Sequence, residues 1–166
     1  GIAVSFAIGD SLQPMVSHCF GARNPERIEQ FMKISLTSVA LLGLVGVGLL
    51  TTVPELAINM FLDEHSANTE RIANLFISFF WPAFLFNGIN ICLSAYATAM
   101  HKPIPSAIIA LSRSLIFPAL LLVILPQLFG DKGVFMVISM SEFLAFFIAV
   151  YIYRQHSPRK LVTLAD

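Results

Sequence analysis

The sequence predicts an all-α, polytopic transmembrane helix bundle of five spans, and three observations carry that prediction. Of the 166 residues, 57% are hydrophobic and 12% charged, against roughly 45–50% and about 25% in an ordinary soluble domain. Mean hydropathy is +0.79 with 15 phenylalanines, and the apolar residues gather into stretches long enough to cross a bilayer. The alternating segments of about ten residues that a membrane β-barrel needs are missing, so a lipid-embedded backbone must satisfy its hydrogen bonds as helices.

Composition also narrows the partners. Ten Lys+Arg balance ten Asp+Glu, which leaves no basic excess for a phosphate backbone and excludes nucleic acid. Cys19 and Cys92 lie in separate apolar stretches without CxxC spacing, so no disulfide framework or metal knuckle is expected. The start at Gly1 lacks the charged region of a signal peptide and reads as the cut end of a longer polypeptide.

The first span, 1–20, carries one charge, Asp10. Gly21-Ala22-Arg23-Asn24-Pro25 closes it with turn chemistry, and Glu26 to Lys33 reads as an amphipathic interfacial stretch. The second span, 31–54, is charge-free from Ile34 to Pro54, enough helix to cover roughly 31 Å. Asp63-Glu64-His65-Ser66 is a polar loop. The third span, 72–100, has no Asp, Glu, Lys or Arg and is longer than one crossing needs, which implies tilt or a bend near Trp81-Pro82. His101-Lys102-Pro103 is a tight turn into the fourth span, 104–128, which contains Arg113, Pro118 and Pro126. Gly130-Asp131-Lys132-Gly133 is another turn, the fifth span, 133–153, contains only Glu142, and residues 154–166 form a tail. Arg23, Arg27, Lys33, Lys102, Arg154, Arg159 and Lys160 fall on one side, Arg71 and Lys132 on the other. The positive-inside rule makes the richer side, and the C-terminus, cytoplasmic.

Polar side chains inside the spans are the functional candidates, because each is costly in hydrocarbon. Asp10, Gln13 and Ser17 lie at i, i+3 and i+7 on one helix face. Asp10 either lines a transport pathway or acts structurally, paired with Arg113 or set near the outer interface. Asn87, Asn90, Ser94 and Thr98 form a stripe that must face protein or water, serving helix-to-helix hydrogen bonding or a ligand cavity. Ser5/Gly9, Gly88 and Ala95/Ala99 fit close helix packing. Glu142 either exchanges a proton or is held ionised by a neighbouring cation. Arg113 counters a buried acid or snorkels to the headgroups, the second being the plainer reading. The four histidines have no metal spacing, and no nucleotide-binding or nucleophile motif occurs. No catalytic, cofactor-binding or metal residue is therefore assigned, and the chain is not expected to be an enzyme.

The run Gly9-Asp10-Ser11-Leu12-Gln13-Pro14-Met15-Val16-Ser17-His18-Cys19-Phe20-Gly21-Ala22-Arg23-Asn24 resembles the "G…QP…S…GA" helix end of the MATE family, multidrug and toxic compound extrusion transporters. Ala95 to Pro103, then Ser112-Arg113, Ile124-Leu125-Pro126 and Gly130 to Val134, are similar to that family's later helices in the same order. The resemblance implies that the five spans correspond to helices 8 to 12 of a twelve-helix, two-lobe transporter. Its implied partners are a missing N-terminal lobe, membrane lipid and small organic substrates. The implied activity is secondary active multidrug export: organic, often cationic, compounds leave against H+ or Na+ by alternating access. A bacterial inner-membrane location follows, with no cofactor beyond the coupling ion. Asp10, Gln13, Asn87, Asn90 and Glu142 become the candidates for the substrate or ion pathway, with Arg113, Pro14 and Gly21 structural or orienting. One branch of the family has an acid in the tenth helix where this chain reads Phe86-Asn87-Gly88-Ile89-Asn90, and His101 stands where a glycine is usual. Two alternatives remain: a lipid-linked oligosaccharide flippase of related architecture, and an integral-membrane enzyme or non-transporting subunit.

Overall fold

A computed structural model describes residues 2–52 and 67–163. The expected loop at Asp63-Glu64-His65-Ser66 and the end of the second span at Pro54 lie outside the described residues. Six helices follow in order: α1 (Ile2–Gly21), α2 (Pro25–Thr52), α3 (Ala67–Ala99), α4 (Pro103–Phe129), α5 (Asp131–Gln155) and α6 (Pro158–Thr163). No strand occurs among the described residues. Four segments, Pro25–Leu49, Ser78–Ala99, Pro103–Phe129 and Asp131–Lys160, are long and apolar enough to cross a membrane. The 20 residues of α1 reach about 30 Å, but Asp10, Ser11, Gln13, Ser17 and His18 lower its apolarity. It crosses only with protein or water against its polar face.

Local chemistry fixes the helix ends. Pro25 is the first residue of α2, and the Asn24 side-chain oxygen accepts the Arg27 N–H at 3.1 Å, a proline start beneath an asparagine cap. The stretch 26–33 is therefore not a separate interfacial element. It forms the opening turns of α2, where Ile28 and Met32 are buried. Similarly, the tail expected at 154–166 contains α6.

The α1–α2 and α3–α4 connections share one construction. Arg23 and His101 both adopt positive φ, 52° and 54°, while Asn24 N–H reaches Cys19 O and Lys102 N–H reaches Ala97 O, each at 3.0 Å. A left-handed residue at this place after a helix is ordinarily glycine, because a Cβ there is strained by about 1–2 kcal/mol. Relief of that strain outweighs loss of the Phe20–His101 ring contact at 5.9 Å. His101→Gly is therefore expected to raise stability by about 0.5–1 kcal/mol, read as a higher melting temperature in detergent. An unchanged or lower melting temperature contradicts this account of the turn.

Helix α3 is the central post, packed by α1, α2, α5 and the first part of α4; α5 also packs along the second part of α4. Leu12, Val16, Ile28, Met32, Tyr96 and Met100 are almost completely buried at the end where both tight turns lie. Tyr96 Oη donates to His156 O at 2.6 Å, and Arg159 forms a bidentate contact with Glu29 at 2.8 and 3.1 Å. These contacts fasten the α5–α6 corner to α3 and α2. Ser5 and Gly9 allow α1 to lie close on α3: a Cβ on Gly9 would come within 2.8 Å of Ile91, and one on Gly88 within 3.3 Å of the Ser5 hydroxyl. Leu41, Leu44, Val45, Leu120, Val123 and Phe147 are exposed on the outside, an apolar coat suited to lipid.

Candidate functional site

The polar stripe of α3 meets two different partners. Toward one end, Ser106 of α4 joins Thr98 Oγ1 at 2.7 Å and Ser94 Oγ at 3.4 Å, and donates to Ser94 O at 3.3 Å. This is helix-to-helix bonding. One to two turns away, the stripe meets Glu142 of α5. Asn87 Nδ2 donates to Oε1 at 2.9 Å; Asn90 Nδ2 donates to Oε2 at 2.7 Å and to the Glu142 carbonyl at 2.9 Å. Glu142 is 7% exposed and Asn90 fully buried. The carboxylate lies near the midpoint of a 25-residue helix, about 16 Å along it from the first residue. Both its oxygens are bound by neutral amides, and the acid missing from Phe86–Asn90 reaches Asn87 and Asn90 from α5.

Among the described residues the nearest cation is Arg113, whose Nε is 3.9 Å from Glu142 Oε1. With only 15% of its side chain exposed, it faces the acid and does not snorkel to the headgroups. It also does not pair with Asp10. Arg113 lies in a π-helical turn, Ser112–Ile116, where the Phe117 N–H reaches back to Ser112 O. The cause is in the sequence: Pro118 has no N–H to continue the α ladder and crowds the preceding turn, and the wider turn absorbs the mismatch. Arg113 Nη1 and Asn90 Oδ1 are buried without a hydrogen-bond partner. The guanidinium also lies 6.0 Å from the Phe6 ring centroid on α1.

Beside Asn87 is a recess of about 60 Å³, walled by Phe80 and Phe84 of α3, Ser5 of α1, Leu42 of α2 and Ile138 of α5. It is mostly apolar, with the Asn87 amide and the Ser5 hydroxyl as polar points. A space of this size holds a few water molecules; drug-sized ligands occupy pockets of about 300–1,000 Å³. Farther along α3, Ser139 of α5 donates to the Phe79 carbonyl.

Two of the sequence-predicted residues lie apart from this cluster: Asp10 is exposed on α1 and Gln13 half-buried. Pro14 lies inside α1 and Gly21 is its last residue, both exposed. The structure brings together Asn87, Asn90, Glu142 and Arg113. Sequence reasoning missed Phe6, Ser106 and the π-turn; the proline five residues after Arg113 was the available signal for the last.

The MatE family profile matches residues 1–124 of the 166. The chain belongs to the MatE family. No curated protein and no solved structure matches it. MatE proteins are membrane transporters and not enzymes. The MatE match takes in α1 to α3 and α4 as far as Ile124; Glu142 lies beyond it.

Proposed function

We propose that the chain is one lobe of a cation-coupled multidrug antiporter, in which Glu142 takes the coupling ion, H+ or Na+, while organic, often cationic, compounds leave. The observation that carries this reading is the mid-helix carboxylate held by two neutral amides. A buried acid is expensive in hydrocarbon and marks an ion pathway by default. Amide donors orient the carboxylate without cancelling its charge, and the sole neighbouring cation among the described residues stands off at 3.9 Å. Such a group can bind a cation and release it again, as exchange requires.

The recess beside Asn87 suits a small ion or water, so the organic cargo is assigned to a different surface. The polar face of α1 with Asp10, Ser11 and Gln13 is the candidate. Lipid would leave those groups unsatisfied, whereas a water-filled cleft against an N-terminal lobe would not. Arg154 and Lys160 near the C-terminal end favour a cytoplasmic C-terminus in a bacterial inner membrane.

The test is ethidium efflux driven by an imposed cation gradient in proteoliposomes containing the full-length protein. Glu142→Gln is expected to reduce efflux to the level of protein-free vesicles. Export by that variant at the unaltered rate, at equal reconstitution, would remove Glu142 from the mechanism.

A further inference from the structure

Arg113 stands between two partners and is fully engaged by neither. Its Nε is 3.9 Å from Glu142 Oε1, beyond hydrogen-bond distance. On its other side the Phe6 ring is 6.0 Å away, the outer range of a cation–π contact. Nη1 is buried with no acceptor. The carboxylate, by contrast, accepts from Asn87 and Asn90 on both oxygens. Within this pair the guanidinium is the member able to leave. The backbone allows it: the π-turn Ser112–Ile116 carries one residue more than the same stretch of α-helix takes, slack of the kind found at functional sites.

We propose that Arg113 is a tethered competitor of the coupling cation: it neutralises Glu142 in the empty site and withdraws toward Phe6 when a proton or Na+ occupies the carboxylate. This rests on the assignment of Glu142 as the coupling site. The described residues leave no other group for the part. α3 contributes two asparagines, α5 brings no second charge near Glu142, and Asp10 of α1 is exposed. Because Phe6 belongs to α1 and shares one helix face with Asp10 and Gln13, at i, i+4 and i+7, withdrawal pushes on the face that carries them. Cation loading is thereby conveyed to the cleft side.

The test measures the half-saturating concentration of the driving cation, for H+ and for Na+ separately, in ethidium efflux by the full-length protein. If Arg113 occupies the carboxylate about nine-tenths of the time, Arg113→Gln lowers half-saturation about tenfold. Arg113→Lys, which keeps the charge, stays near the unaltered value. Phe6→Leu removes the second resting place and raises half-saturation about threefold. A side chain that merely braces the fold would not produce opposite shifts. Unchanged or raised half-saturation in Arg113→Gln overturns the proposal; if that variant does not fold, an unshifted Phe6→Leu overturns it. Glu142→Gln separates the two assignments. A variant still responsive to the driving cation defeats the coupling site itself, whereas an unresponsive one beside an unshifted Arg113→Gln defeats only the competitor.

Discussion

Glu142→Ala is expected to destabilise the protein by about 3–5 kcal/mol, the range for removing one partner of a buried charge pair. The substitution takes away the acceptor of three contacts at once, those from Asn87, Asn90 and Arg113. It leaves a guanidinium 15% exposed with no other carboxylate at salt-bridge distance among the described residues. Two properties separate this from a simple cavity effect. Glu142→Gln keeps the shape and one carbonyl acceptor and is expected to lose less than half as much. The double replacement Arg113→Met with Glu142→Met removes both charges and is expected to recover most of the loss, because apolar pairs of similar volume replace buried ion pairs at little penalty. Cys19 and Cys92 are free and buried, so a thiol-reactive dye reports unfolding directly. Equal melting temperatures for Glu142→Ala and the unaltered protein would show that the cluster does not tie α5 to α3.

The second large effect is expected at Gly133, in the first turn of α5. A Cβ placed there would lie 2.2 Å from Leu125 O and 2.7 Å from the Pro126 nitrogen. Both are backbone atoms of α4, so no side-chain rotation relieves the clash. The preceding Gly130, at φ +59°, reverses the chain between the two helices, and Gly133 lets α5 return directly against the last turns of α4. Gly133→Ala is expected to cost about 2–3 kcal/mol through forced displacement of packed helices. Gly21→Ala serves as the control, since nothing lies within 4 Å of the added carbon; its effect should stay within about 0.5 kcal/mol. Comparable melting temperatures for the two variants would contradict the close α4–α5 return.

Much of this architecture is legible in the chain itself. Long charge-free stretches in lipid have to be helices, and turn residues mark the joints. The spacing of Asn87, Asn90, Ser94 and Thr98 places them on one face through helical geometry alone. What that face meets is not local information. Glu142 lies 55 residues from Asn87 and 52 from Asn90, and only the packing of α5 on α3 decides that the acid arrives there. Ser94 and Thr98, on the same stripe, find Ser106 across a tight turn. One sequence pattern thus meets two partners, Ser106 of α4 at one end and Glu142 of α5 at the other. Arg113 illustrates a different gap. A cation one to two turns into a span ordinarily snorkels, but the π-turn imposed by Pro118 and the unfilled charge of Glu142 draw it inward. For the Asn24-capped start of α2 the signal was present in the sequence, an asparagine followed by proline, and the amphipathic pattern beyond it obscured the boundary.

The proposed antiport requires Glu142 to be an exchangeable cation site within the bilayer. Carbodiimide labelling of the full-length protein, located by peptide mass mapping, tests that most directly, since the reagent attacks protonated carboxyls in apolar surroundings. Modification is expected at Glu142, slowed as Na+ or pH is raised and abolished in Glu142→Gln. A Glu142 that never reacts, or that reacts at one rate whatever the cation concentration, would contradict that requirement.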